Sequence, residues 1–179
     1  MTSANETEFD PSVEATLREQ VGEYLQGNHD GRGLRVGIVC ARFNGGVTTR
    51  LLDATLATLR GAGVDRSDIS LAWVPGAFEI PLAARAFVTG PKAVDAVITL
   101  GAVIRGDTGH YEVVAVECAR GVQTVQLRSG VPVVFGVLTT NTVDQALERS
   151  LPDETNKGRE SALTALEMVS VLGQGLLAR

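Results

Sequence analysis

The 179-residue sequence is short of cysteine, of aromatic rings and of charge of one dominant sign. Each shortage removes a class of protein. Two cysteines, Cys40 and Cys118, cannot build a framework of several disulfides, and their separation fits neither a zinc ribbon nor a C-x-x-C redox pair. Both sit in apolar surroundings and read as buried free thiols. No apolar run approaches the ~20 residues of a membrane-spanning helix. The first residues show no secretory-signal pattern, so the expectation is a cytoplasmic protein with no membrane partner. The formal net charge of -5 is unevenly spread: residues 1–30 hold seven acids and one base, residues 31–179 fourteen acids and fifteen bases. A body so near neutrality argues against nucleic acid held through its phosphates. The glycine fingerprint of dinucleotide-binding folds, the P-loop and any metal-ligand cluster are also missing.

What is present is a regular alternation of apolar runs and helical patterns. Residues 1–11 are polar and acidic, and disorder is expected there. From Ser12 to Gln26, Val13, Leu17, Val21 and Leu25 recur every four residues, which predicts a short amphipathic helix capped by Ser12. Gly27–Gly33 reads as a linker, with His29 exposed in it. The expected organisation is an acidic extension and linker over 1–33 and one domain over 34–179. Strands are predicted at 34–41, 69–74, 93–103 and 131–138. Between them lie a helix with Leu52, Leu56 and Leu59 on one face, a helix carrying Leu82, Ala86 and Phe87, and a long helix from His110 with Val114, Cys118, Val122 and Val125 in line. Thr142 and Gln145 form a capping box for a short helix reaching Arg149. Asn156 caps a last helix with Ala162, Leu166 and Val169 facing inward.

Continuously apolar strands separated by helices imply a parallel sheet covered on both faces. Right-handed crossovers then align the strands' C-terminal ends on one edge, where open α/β sheets hold their ligands. The post-strand segments are therefore read as one site. They offer Phe43 and Asn44, then Phe78 and Glu79, the GDTGH loop over 106–110, and Phe135. Three of five phenylalanines in such a set point to a flat aromatic ligand. Taken singly, Phe78 and Phe135 read equally as core, and Glu79 as a carboxylate favoured at a helix start. His110 can exchange protons near neutrality, although a lone histidine at a helix start also caps or packs. Backbone N–H groups of Asp107 to Gly109 suit a phosphate, provided the Asp107 carboxylate turns away or caps. Arg149 and Lys157 flank a polar loop and are candidate phosphate partners.

The segments ARFN (41–44), VPGAFEIP (74–81), GAVIRGDTGHYE (101–112), FGVLTT (135–140) and NKG (156–158) closely resemble the lumazine synthase family, over residues 34–172 and in order. The resemblance implies an α/β three-layer sandwich, its four-stranded parallel sheet flanked by helices in flavodoxin-like topology. It also implies the penultimate step of riboflavin biosynthesis. In that step 5-amino-6-(D-ribitylamino)uracil condenses with 3,4-dihydroxy-2-butanone 4-phosphate to 6,7-dimethyl-8-ribityllumazine, with no metal or organic cofactor. Carried over, Phe43 stacks on the pyrimidine. Ala77, Phe78 and Glu79, with Ala102, Val103 and Ile104, hold the uracil and its ribityl chain. Asp107 and Thr108 fall where the family binds the butanone phosphate, and His110 on its proton-transfer residue. Phe135 and Arg149 match residues lent by a neighbouring subunit, with Lys157 nearby. A homo-oligomer is implied, a pentamer or an assembly of pentamers. The stretch SLPDET (150–155) stands where shell-forming members are glycine-rich, so a pentamer or a pair of pentamers is the expectation.

Overall fold

The computed structural model describes residues 11–176. The disorder expected for residues 1–11 lies outside them but for Pro11. Pro11 opens the first helix, α1 (Pro11–Arg18). That helix is shorter than its periodicity predicts, and Ser12 lies within its first turn instead of capping it. After Arg18 the chain turns back. The Tyr24 ring packs 5.0 Å from the Arg18 guanidinium and its hydroxyl bonds to Glu14. The stripe of Val13, Leu17 and Val21 remains more than half exposed.

The body alternates as β1 (Val36–Ala41), α2 (Gly45–Gly61), β2 (Ile69–Val74), α3 (Ile80–Thr89), β3 (Ala96–Ile104), α4 (His110–Ser129), β4 (Val133–Thr140), α5 (Val143–Glu148) and α6 (Lys157–Val171). The four strands form one all-parallel sheet in the order β2-β1-β3-β4. Alternate strand residues point to opposite faces, which is why the central runs β1 and β3, buried on both faces, had to be almost wholly apolar. Ile38, Cys40, Ile98 and Leu100 face α2 and α6, where Leu51, Leu59, Ala162 and Leu166 close one core. Val39, Ala41, Val97 and Val137 face α3 and α4, against Ile80, Ala84, Cys118 and Val122. The three-layer sandwich is the fold anticipated above.

Strand ends differ from the sequence reading for local reasons. Asp95 accepts from the Arg35 N–H through its carboxylate at 2.8 Å, which occupies the chain before β3 and delays its start. Pro132 has no N–H to give a ladder. The Val133 N–H goes to the Gln126 side chain at 2.9 Å, so β4 begins late and runs on to Thr140. On α3 the buried positions are Ile80 and Ala84, while Leu82 is 72% exposed and Ala86 is exposed too. β2 is an edge strand, with Leu71 and Trp73 partly open to solvent. Of the three predicted helix caps, those at Thr142 and Asn156 form, although the Gln145 side chain accepts from Asn141 N–H and not from the Thr142 N–H that would complete a capping box. Gln145 N–H donates to Thr142 Oγ1 at 3.2 Å, and Asn156 Oδ1 accepts from Gly158 N–H at 2.8 Å.

Cys40 and Cys118 are free and buried on opposite faces of the sheet. Loss of solvation pushes both thiols up to about 11. Unfolded thiols lose their protons at about 8.5, so between those values the unfolded chain binds fewer protons than the folded one. Stability is therefore expected to fall as pH rises through that window, and to be independent of these thiols below it. Alkylation near pH 8 should spare both cysteines until the chain is unfolded. Equal labelling rates in native and urea-unfolded protein would contradict their burial.

Candidate active site

With strand order β2-β1-β3-β4, the connections leave β1 and β3 in opposite directions. α2 passes to one face of the sheet and α4 to the other. The crevice between these two strand ends is where an open α/β sheet leaves room for a ligand. Here the loops are tied to one another. Arg42 N–H donates to Val74 O at 2.9 Å and Phe43 N–H to Pro75 O at 3.1 Å, joining the ends of β1 and β2. Asn44 takes a left-handed conformation, φ 58°, which asparagine tolerates better than most residues. From there its side-chain amide donates to Ala102 O at 2.8 Å, spanning the crevice from β1 to β3. Sequence reading noted Asn44 only as an amide beside Phe43. Its αL turn could not be read from composition.

Most of the candidate residues gather at this edge. Phe43 presents its ring, 70% exposed, at the β1 end. Ala77, Phe78 and Glu79 form a single 3₁₀ turn after β2. Phe78 is 56% exposed, so it is not core, and Ala77 is buried beneath it. The Glu79 carboxylate accepts from Gly76 N–H at 3.0 Å, which fixes the turn and orients its free edge. Ala102 and Val103 are buried at the end of β3, with Ile104 partly exposed after them. Asp107, Thr108 and His110 are all exposed. α4 starts at His110 with Gly109 as its cap residue and no side-chain cap bond. Neither His110 nor Asp107 caps the helix, and His110 does not pack into the core. The imidazole stands at a helix start, open to a ligand.

Phe135, Arg149 and Lys157 belong elsewhere. Phe135 is not at the strand end. It pairs with Thr99 near the start of β4 and is 38% exposed, which corrects both its placement at the shared edge and its reading as core. All three residues line one groove of about 760 Å³ along the open side of β4, walled by Gln123 and Gln126 of α4 and Thr164 and Met168 of α6. Arg149 is held by the Gln145 carbonyl at 3.0 Å and lies 3.5 Å from the Glu148 carboxylate. Lys157 pairs with Glu160. None of the residues gathered at the strand ends lines this groove. One chain therefore carries two partial sets: rings, a carboxylate and an imidazole at the sheet edge, and a ring with two cations beside β4.

The sequence reading passed over Arg105, which joins the His110 loop to the end of β4. Its signal is visible only in space. Among the described residues, no cluster of three or more His, Cys, Asp or Glu side chains is placed to hold a metal. No described helix is long and apolar enough to cross a membrane.

Sheet order and edge chemistry define an open parallel α/β protein with its polar and aromatic groups collected around the switch point. More narrowly, the chain belongs to the 6,7-dimethyl-8-ribityllumazine synthase family, whose model matches residues 33–173. That is a family of transferase-type enzymes of riboflavin biosynthesis, acting on small molecules as oligomers.

Proposed function

We propose that the protein condenses 5-amino-6-(D-ribitylamino)uracil with 3,4-dihydroxy-2-butanone 4-phosphate, giving 6,7-dimethyl-8-ribityllumazine, phosphate and two waters. The observation that carries this reading is the division of the candidate residues into two surfaces that one chain does not bring together. A neighbouring copy that seats its β4 groove against the sheet edge supplies Phe135, Arg149 and Lys157 to Phe43, Phe78, Glu79 and His110. A ring-shaped pentamer, single or paired, gives every edge such a neighbour through one repeated heterologous contact. Solution mass measurement tests the assembly, and a monomer would contradict it.

The groups suit the chemistry. Phe43, with Phe135 from the neighbour, sandwiches the pyrimidine. The Glu79 edge, with the 77–78 turn, engages the ribityl chain and uracil, over a floor of Ala102, Val103 and Ile104. The substrate's amine attacks the ketone, and loss of water forms an imine. Phosphate then departs, and ring closure expels the second water. No protein nucleophile is required. His110 moves protons between these steps, while Asp107 and Thr108 of the loop and Arg149 and Lys157 of the groove receive the phosphate. Asp107 contributes through its backbone N–H, since its carboxylate would repel the anion. Most of the acceleration is assigned to holding amine and ketone together.

Mixing the two substrates with the protein and following lumazine absorbance and phosphate release tests the reading. Turnover above the spontaneous rate is expected, and its absence would sink it. His110→Ala should lower kcat by about 10–10²-fold, at or below the low end of acid–base contributions, because the condensation proceeds slowly unaided. An unchanged kcat would remove His110 from the proton path.

A further inference from the structure

We infer that Arg105 is a positioning residue whose side chain locks the first turn of α4, and with it the His110 imidazole, to the end of β4. The inference rests on the proposed role of His110. Four contacts converge on this one residue. Its backbone N–H donates to Thr140 O at 2.9 Å. Its Nε donates to Asn141 Oδ1 at 3.0 Å. A terminal guanidinium nitrogen forms a hydrogen-bonded ion pair with Glu112. Its guanidinium carbon stands 4.1 Å from the centroid of the Tyr111 ring.

The partners are what make this more than a surface ion pair, which alone contributes little. Tyr111 and Glu112 are the two residues directly after His110. Thr140 and Asn141 close β4 and start the turn beyond it. Between Arg105 and His110, no side chain of residues 106–109 makes a hydrogen bond among the described residues. The loop that carries the imidazole is thus fixed at its far end by Arg105 together with the packing of Tyr111 and Val114 on the core. A planar guanidinium bonded along its edge to two acceptors and stacked on a ring has a single orientation. Lysine keeps the charge but offers no fork and no flat face. The bond from Arg105 also lowers the Glu112 carboxyl from its ordinary value. A reacting imidazole placed on a first helical turn needs such support, because small displacements cost rate.

The test is a double-mutant cycle read in kcat. Arg105→Lys in the otherwise natural chain should lower kcat about tenfold, with the KM for the ribitylaminouracil within about twofold. In a His110→Ala background the same change should alter kcat by less than about twofold, because the group it positions is gone. Equal losses in both backgrounds would overturn the inference, since a merely structural role lowers both alike. Should Arg105→Lys fail to fold, Glu112→Gln, which leaves the Asn141 and Tyr111 contacts in place, should give a smaller loss with the same dependence on His110. A second readout needs no turnover. With two histidines in the chain, the His110 ring signal is assignable by NMR after His29→Gln. That signal should broaden or shift in Arg105→Lys, and an unchanged ring would overturn the positioning. A natural chain that forms no product would sink the condensation reading, and the ring signal would still decide the role of Arg105.

Discussion

Replacing Arg149 by alanine is expected to raise the KM for the phosphate-bearing substrate by about 10–100-fold. The KM for the ribitylaminouracil should stay within about threefold. The magnitude follows from hydrogen bonds to a charged group, worth about 1.5–3 kcal/mol on removal. Arg149 matters more than Lys157 because of what each already holds. The Lys157 ammonium is engaged by Glu160, whereas Arg149 uses one terminal nitrogen for both the Gln145 carbonyl and the more distant Glu148 carboxylate and keeps the other donors of its planar fork for a ligand. Arg149→Lys should fall between the two, since a point charge keeps attraction but loses bidentate geometry. An unchanged KM for the phosphate substrate in Arg149→Ala would remove the groove from the site.

Gly158→Ala is expected to be the most damaging small substitution. In an exposed helix interior alanine would stabilise by about 1 kcal/mol. Here a Cβ would lie 2.0 Å from the Leu51 carbonyl oxygen and 2.7 Å from its carbon, both backbone atoms of α2 that cannot rotate away. The same contact is clamped by Thr55, whose hydroxyl meets Leu51 O at 2.8 Å and Gly158 O at 2.9 Å inside the core. Opening the two helices should cost about 3 kcal/mol or more, which outweighs the propensity gain. For a domain of this size that lowers Tm by about 10 °C at fixed protein concentration. Since Lys157 is the neighbouring residue and lines the groove, weaker phosphate binding should accompany the loss. A Tm equal to or above that of the natural chain would show that α2 and α6 are not in contact there.

The layered fold was legible because burial on both sheet faces leaves a pattern that needs no partner to read, as in Val36–Ala41 and Ala96–Ile104. The caps at Thr142 and Asn156 were legible for the same reason, being local. Errors arose where distant residues decide. The stripe of Val13, Leu17 and Val21 looks like a buried helix face, yet among the described residues nothing covers it. On α3, Leu82 is more apolar than Ala84, but the crossing with α4, where Gly121 meets Pro81, turns the Ile80 and Ala84 face inward. At the site, strand-end loops could be collected from topology alone. The groove could not, because α4 and α6 approach β4 from opposite faces to make it, and Phe135 was assigned to the wrong place as a result. Arg105 was missed because its bridge to Asn141 spans a full β-α-β unit. The family resemblance supplied what spacing could not, namely the proposal that one chain's edge and another's groove belong together.

That pairing is tested most directly by mixing two variants damaged on opposite surfaces. His110→Ala loses the edge imidazole and Arg149→Ala the groove cation. Each alone is measured at a butanone phosphate concentration well below the raised KM. When the two chains are co-assembled, about a quarter of the interfaces join an intact edge to an intact groove. Activity is then expected to rise to about a quarter of that of the natural protein, well above either variant. Activity equal to the average of the two variants would contradict a site shared between subunits.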